Sequence, residues 1–222
     1  MEKDDLIKYL DDFMKSEIYL NQKELLEEKQ KTLKYGDNVV HINYYDGVIT
    51  SDDLTLCSSL LKNADIELSS YDENGVLYNS LEDYTNLMSV VLNDELTKSI
   101  IFGVLGNFVW DTIKTITKNV FNKVKENNKS TKREITFGIH LSLNKNTGFK
   151  FRLNSKMSSE TIDKSLDHAK EFVKTQQPNE EYQLPIFLYY DNKNNVWIPV
   201  NILEDIRKKK AKEKSLNRKK KK

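Results

Sequence analysis

Six side chains in the C-terminal half have the chemistry to hold an anion beside a planar ring: His140, Lys150, Arg152, Phe187, Tyr189 and Trp197. Each falls between apolar positions that recur every two residues, the period of a half-buried strand. Ile135, Phe137, Ile139, Leu141 and Leu143 alternate with Thr136, Gly138, His140 and Ser142; Phe149, Phe151 and Leu153 alternate with Lys150 and Arg152. Ile186, Leu188 and Tyr190 flank Phe187 and Tyr189, while Val196 and Ile198 flank Trp197. If pairing gathers the apolar set on one face, the six share the other. Rings on an open sheet stack on bases and cations meet phosphates, which is how single-stranded nucleic acid is held. The competing reading packs this face against the second half of a central helix, with the basic residues at its rim.

A second electrostatic feature is the tail. It begins Arg207, Lys208, Lys209, Lys210 and ends with Arg218 followed by four lysines. Residues 207–222 hold 11 basic residues against Glu213, a net of +10. Such runs bind nucleic acid or anionic membranes without sequence preference. The alternatives are a solubilising end, or a tail that folds back on the acidic front half. That half is a property of its own: residues 1–94 carry 20 acidic and 8 basic residues, so the overall charge of +1 conceals opposite halves.

Other chemistries lack their motifs. Gly103 and Gly106 sit among apolar residues without the Lys-Ser/Thr of a phosphate loop. His41, His140 and His168 have no ligand spacing, and the single cysteine, Cys57, reads as a buried core thiol. No serine lies in a Gly-x-Ser-x-Gly elbow. The paired acids Asp4-Asp5, Asp11-Asp12, Glu27-Glu28 and Asp52-Asp53 have neither the spacing of a catalytic dyad nor that of a metal site. No enzyme activity, cofactor, metal or small-molecule substrate is expected.

The elements that must position these residues follow from pattern. A first helix is predicted from about Asp4 to Leu33, with Leu6, Leu10 and Phe13 on one face. Val39 to Tyr45 reads as a strand, Asp46-Gly47 as a tight turn and Val48-Ile49 as the start of a return strand. Ser51 reads as the N-cap of a short helix carrying Leu54, Cys57, Leu60 and Leu61. A second hairpin is expected from Ile66 through the turn 72–75 to Tyr78. Leu81, Tyr84, Leu87, Met88 and Val91 then predict a helix face, capped near Ser80.

The stretch Ser99–Lys125 reads as a central helix. Its apolar line runs Phe102, Leu105, Val109, Ile113, Ile116, Val120, Val124 in steps of three and four. The first half is apolar all round, predicting an enclosed start and an amphipathic end. The run from Ile100 to Trp110 is about half the roughly twenty residues a bilayer span needs. Gly103 and Gly106 fit a close backbone approach or a later helix start. The four strands and the helix from Ser158 then form a ββαββ unit.

The expected architecture is α+β. It comprises an acidic helix/hairpin region (1–94), a central helix and linker (95–130), the ββαββ unit (131–206) and a disordered basic tail (207–222). With 38% hydrophobic residues, a mean hydropathy of −0.65 and no apolar run after Met1, the chain reads as cytoplasmic. Scarce alanine beside abundant Asn, Lys and Ile suggests an AT-rich bacterium or its phage. The expected role is a non-catalytic interaction or accessory protein whose basic half engages a polyanion, nucleic acid first. Its contacts would be Lys150, Arg152, Tyr189, Trp197, Arg207, Lys208, Lys209, Lys210 and Arg218. Two alternatives use Phe102, Phe108 and Trp110: a membrane-associated effector, and a protein–protein module of a bacterial antiviral-defence or toxin–immunity system.

Overall fold

The computed structural model describes residues 15–45, 49–74, 88–103, 106–127, 136–201 and 204. Helices and strands are mixed, with five helices and seven strands among the described residues. The strands form a single sheet, mixed in direction, in the order β2 (Glu67–Asp72), β1 (Val39–Tyr44), β3 (Met88–Leu92), β4 (Thr136–Asn144), β5 (Thr147–Asn154), β6 (Ile186–Asp191), β7 (Val196–Val200).

Helix α1 spans Glu17–Lys31. Ser16 is extended (φ −66°, ψ 146°) and its hydroxyl accepts from the Tyr19 N–H. A helix therefore starts here, which corrects the expectation of one continuous helix from Asp4; residues 4–14 lie outside the described set. β1 (Val39–Tyr44) follows, then α2 (Ser51–Lys62) and β2 (Glu67–Asp72). Thr50, one residue earlier than expected, caps α2 in a reciprocal box with Asp53. Of the return strand expected at Val48–Ile49, Val48 lies outside the described residues and Ile49 is not in a strand. Both edges of β1 are taken, by β2 in parallel and by β3 antiparallel, and Ile49 is buried on the approach to α2. The turn at Asp46-Gly47, the returning half of the second hairpin and the Ser80 cap lie outside the described residues.

β3 (Met88–Leu92) corrects a predicted helix. Met88, Val90 and Leu92 pair with Tyr44, Ile42 and Val40 on one side and with Phe137, Ile139 and Leu141 on the other. Four of the five residues of β3 are apolar, and periodicity does not separate so short an apolar run from a buried helix. The β-branched pair Val90-Val91 was the local signal for a strand.

The central stretch is two helices, α3 (Asp94–Phe102) and α4 (Gly106–Asn127). Asn93 caps α3 through its side-chain oxygen, which accepts from the Leu96 N–H 2.8 Å away. At the corner the Gly103 N–H reaches the Ser99 carbonyl and the Gly106 N–H reaches the Gly103 carbonyl. A Cβ on Gly103 would stand 2.2 Å from the Ser99 oxygen, and one on Gly106 2.0 Å from the Ile100 oxygen. The close backbone is thus the last turn of α3 itself. The break also opens the start of α4: Phe108 is exposed while Val109 and Trp110 are buried, so the helix is amphipathic from its first turn.

β4 (Thr136–Asn144), β5 (Thr147–Asn154), α5 (Ser159–Lys174), β6 (Ile186–Asp191) and β7 (Val196–Val200) complete the order. Helices α2 to α5 lie on one face. Phe121 of α4 packs on Phe137 with ring centres 5.0 Å apart, and Phe172 of α5 meets Phe149 and Phe151 edge-on. The central helix therefore shares a layer with α5 and does not cover the opposite face. The β3–β4 and β5–β6 crossovers both step one strand the same way, through helices on the same face. Because β4 and β5 are antiparallel, the two crossovers have opposite hands, so one departs from the right-handed rule.

Polar links run antiparallel along α4 and α5. Lys114 bonds Asp167 at 2.8 Å, Lys118 bonds Asp163 at 2.5 Å, and the Ser159 hydroxyl donates to the Asn122 side chain at 3.0 Å. Each step advances one turn on one helix and retreats one turn on the other, fixing the register of the pair.

Candidate functional site

The face opposite helices α2 to α5 is built by strand register; α1 touches it only at the β2 edge, where Lys29 lies over the Tyr71 ring. One row runs Ser69, His41, Val91, His140, Lys150, Phe187, Val200 across the sheet from β2 to β7. The next runs Tyr71, Asn43, Ser89, Gly138, Arg152, Tyr189, Ile198. Lys150 and Arg152 thus sit beside Phe187 and Tyr189 on parallel neighbours, as the two-residue period implied.

The Lys150 ammonium lies 5.1 Å from the centre of the Phe187 ring, within cation–π range. A guanidinium N–H of Arg152 reaches the Thr136 hydroxyl at 3.4 Å. Tyr189 is 48% exposed and offers a ring to solvent; Phe187 is half-buried. His140 is also half-buried. Burial pushes its imidazole down to about 3, and the Lys150 charge acts in the same direction. It is therefore neutral at pH 7. Burial also lowers the Lys150 ammonium and the His41 imidazole from their usual ranges. An anion placed beside Lys150 would recover part of that lost solvation.

The structure takes Trp197 out of this face. It is 6% exposed, donates its indole N–H to the Ser165 carbonyl at 2.9 Å, and stacks edge-on against Phe151 and Tyr190. Ile198 and Val200 stand in its place, paired with Tyr189 and Phe187. The segment Val-Trp-Ile-Pro-Val is apolar throughout, so alternation could not choose a phase. The indole needed a buried acceptor, and the helix carbonyl of α5 supplied one.

At the α3–α4 corner the three apolar candidates separate. Phe102 and Phe108 are 66% and 53% exposed, while Trp110 is 2% exposed and belongs to the core. Val104 and Leu105 between them lie outside the described residues, as do Arg207, Lys208, Lys209, Lys210 and Arg218. Cys57 is buried, and burial raises its thiol to about 11, with the Asp53 charge adding to the rise. Among the described residues no group of three or more His, Cys, Asp or Glu is placed to hold a metal ion. Within the same set no helix is long and apolar enough to cross a membrane. A shallow groove of about 470 Å³ between α2 and β2 is lined by Leu54, Thr55, Ser58, Ser59, Lys62, Leu68 and Ser70. Among the described residues it presents hydroxyls and one amine.

No family model, curated protein or solved structure matches the chain.

Proposed function

We propose that this is a non-catalytic interaction protein whose C-terminal half engages a polyanion, with single-stranded nucleic acid as the ligand. In this reading residues 131–206 act as a ββαββ unit that presents the sheet face opposite α5, and residues 207–222 add a sequence-independent electrostatic hold. The observation that carries it is the Lys150 ammonium over the Phe187 ring, with Arg152 and the exposed ring of Tyr189 one row away. Cations meet phosphates while rings stack on bases, and each stacked base contributes about 1–3 kcal/mol. The cytoplasm of a bacterium or its phage is the compartment this reading assumes.

Fluorescence anisotropy with a labelled oligothymidylate tests it. Retention at low salt should fall steeply as salt rises, because phosphate contacts release counterions. Lys150→Glu with Arg152→Glu should weaken binding at least about tenfold, since two phosphate contacts become repulsions. Tyr189→Ala should weaken it by about 5-fold or more with little change in salt dependence. No binding at low ionic strength overturns the proposal.

A second reading rests on Phe102 and Phe108, large apolar side chains exposed on either side of the Gly103–Gly106 corner. They would anchor a protein partner, as in a subunit of a defence or toxin–immunity system. The membrane-associated variant uses the same corner with the basic tail. Flotation with anionic vesicles separates the two: a protein-docking corner leaves the chain unbound.

A further inference from the structure

The two edges of the sheet are built differently. Among the described residues β7 and β2 each have one neighbour. On β7, Pro199 deprives the edge of a donor, a common guard against a further strand. β2 has no proline, and two bonds fix which way its backbone faces. The Glu67 N–H reaches the Asn38 carbonyl at 2.9 Å, and the Glu73 N–H reaches the Tyr44 carbonyl at 2.7 Å. At a period of two, Glu67, Ser69 and Tyr71 turn their N–H and C=O groups to β1, while Leu68, Ser70 and Asp72 turn theirs outward. Lys29 fills the Asp72 carbonyl at 2.6 Å. Among the described residues nothing takes the N–H and C=O groups of Leu68 and Ser70, which leaves two donors and two acceptors along the edge.

These groups border the groove between β2 and α2. Leu68 and Ser70 form one wall, and Leu54, Thr55, Ser58 and Ser59 of α2 form the other, around about 470 Å³. The two leucines make its apolar part and hydroxyls the rest, a lining that suits β-branched side chains. Contacts from α1 and the segment after it fall on the opposite face, where Lys29 lies over the Tyr71 ring and the Lys34 N–H bonds the Ser69 hydroxyl at 3.0 Å. Lys62 lines the groove at the start of β2, because the Ile66 N–H bonds the Leu61 carbonyl at 3.1 Å and brings the last turn of α2 beside that strand. Among the described residues Lys62 makes no ion pair, while the neighbouring Glu67 is held by Lys34 at 3.1 Å.

We propose that a partner protein adds an extended segment to this edge as a further strand antiparallel to β2, with β-branched side chains at two alternate positions and an acidic side chain two residues beyond. The segment's residues opposite Ser70 and Leu68 exchange backbone bonds with them and send their side chains into the groove. The next residue on the same side passes the start of β2, where Lys62 meets its carboxylate. Backbone bonds supply the hold, and the groove with Lys62 supplies the selection. The site is independent of the polyanion reading, since β2 and β5 stand four strands apart in the sheet.

The probes are fluorescein-labelled peptides Val-Thr-Val-Thr-Glu, the same sequence with isoleucine or threonine at both valine positions, and a copy of each N-methylated at those two positions. Amide hydrogen exchange of the full chain, followed by NMR, reads the edge directly. Without peptide, the Leu68 and Ser70 amides should exchange at least about tenfold faster than those of Ser69 and Tyr71, which β1 protects. At about nine-tenths saturation the Leu68 and Ser70 amides should slow about tenfold, because exchange then proceeds from the free tenth. By anisotropy, Lys62→Glu should weaken binding at least about threefold, and a peptide ending in lysine should restore it. The N-methylated copies should not bind. Leu68 and Ser70 amides already as slow as Ser69 in the free chain overturn the proposal: the edge is then taken, by a second copy if the protection falls on dilution and by the chain itself if it does not. Failure of every peptide to slow the two amides at millimolar concentration also overturns it, as does binding indifferent to N-methylation or to the Lys62 exchange. The exchange series needs no substitution and decides the matter whatever the variant does.

Discussion

The indole N–H of Trp197 on β7 donates to the Ser165 carbonyl in the middle of α5, at 2.9 Å. This bond ties the last strand of the sheet to the helix layer and sets which face of β7 points outward. Trp197→Phe keeps a ring in the core but removes the donor and part of the volume. It should cost about 1–3 kcal/mol, read from urea unfolding midpoints. A cost below about 0.5 kcal/mol would be the signature of a surface side chain and would contradict the register.

Gly106→Ala separates a bent from a straight central segment by the sign of its effect. In an uninterrupted helix alanine would stabilise by about 1 kcal/mol. At this corner its Cβ would stand 2.0 Å from the Ile100 carbonyl oxygen, and the backbone cannot yield cheaply. Destabilisation of about 1–3 kcal/mol is expected in thermal or urea unfolding. Gly103→Ala should act alike, against the Ser99 carbonyl.

His140 makes stability depend on pH well above the carboxylate range. Burial holds its folded-state value at about 3, against an ordinary 6.5. The unfolded chain therefore binds the proton first. The contribution is complete above about pH 6.5 and is lost as pH falls from there towards 3, at up to about 1.4 kcal/mol per pH unit. His41, also lowered by burial, adds in the same direction. Urea midpoints at pH 7 and pH 5 should differ for the parent chain, and the difference should narrow in His140→Gln to what His41 leaves.

Asp53 acts lower on the scale. Partial burial opposes its ionisation, but the bond from Lys123 and those from Thr50 outweigh it, holding the carboxyl below its usual 3.8. Its stabilisation is present above about pH 4 and disappears as pH falls through the lowered value. Asp53→Asn should cost about 0.5–2 kcal/mol at pH 7 through the α2 cap and the Lys123 contact. The parent and the variant should approach each other in stability near pH 2, measured by thermal unfolding.

The sequence by itself determined what depends on local period and local caps. The strands around Phe137, Phe151 and Leu188, the helix opened by Ser158, and the placing of Lys150, Arg152 and Tyr189 on one sheet face all follow from alternation or from one capping side chain. Cys57 was legible as a core thiol for the same reason: its neighbours on α2 are apolar at helical spacing. Tertiary structure alone decided the rest. Met88–Leu92 is a strand because β1 and β4 bond it from both sides, and a five-residue run with four apolar positions carries no periodic signal. Trp197 faces inward because a carbonyl on α5 waits for its N–H, in a strand apolar at every position. The helix predicted through Gly103 bends there because the last turn of α3 fills the space a side chain would need, leaving Phe102 and Phe108 outside and Trp110 within. These outcomes turn on contacts between residues far apart in the chain, whose energies no local window contains.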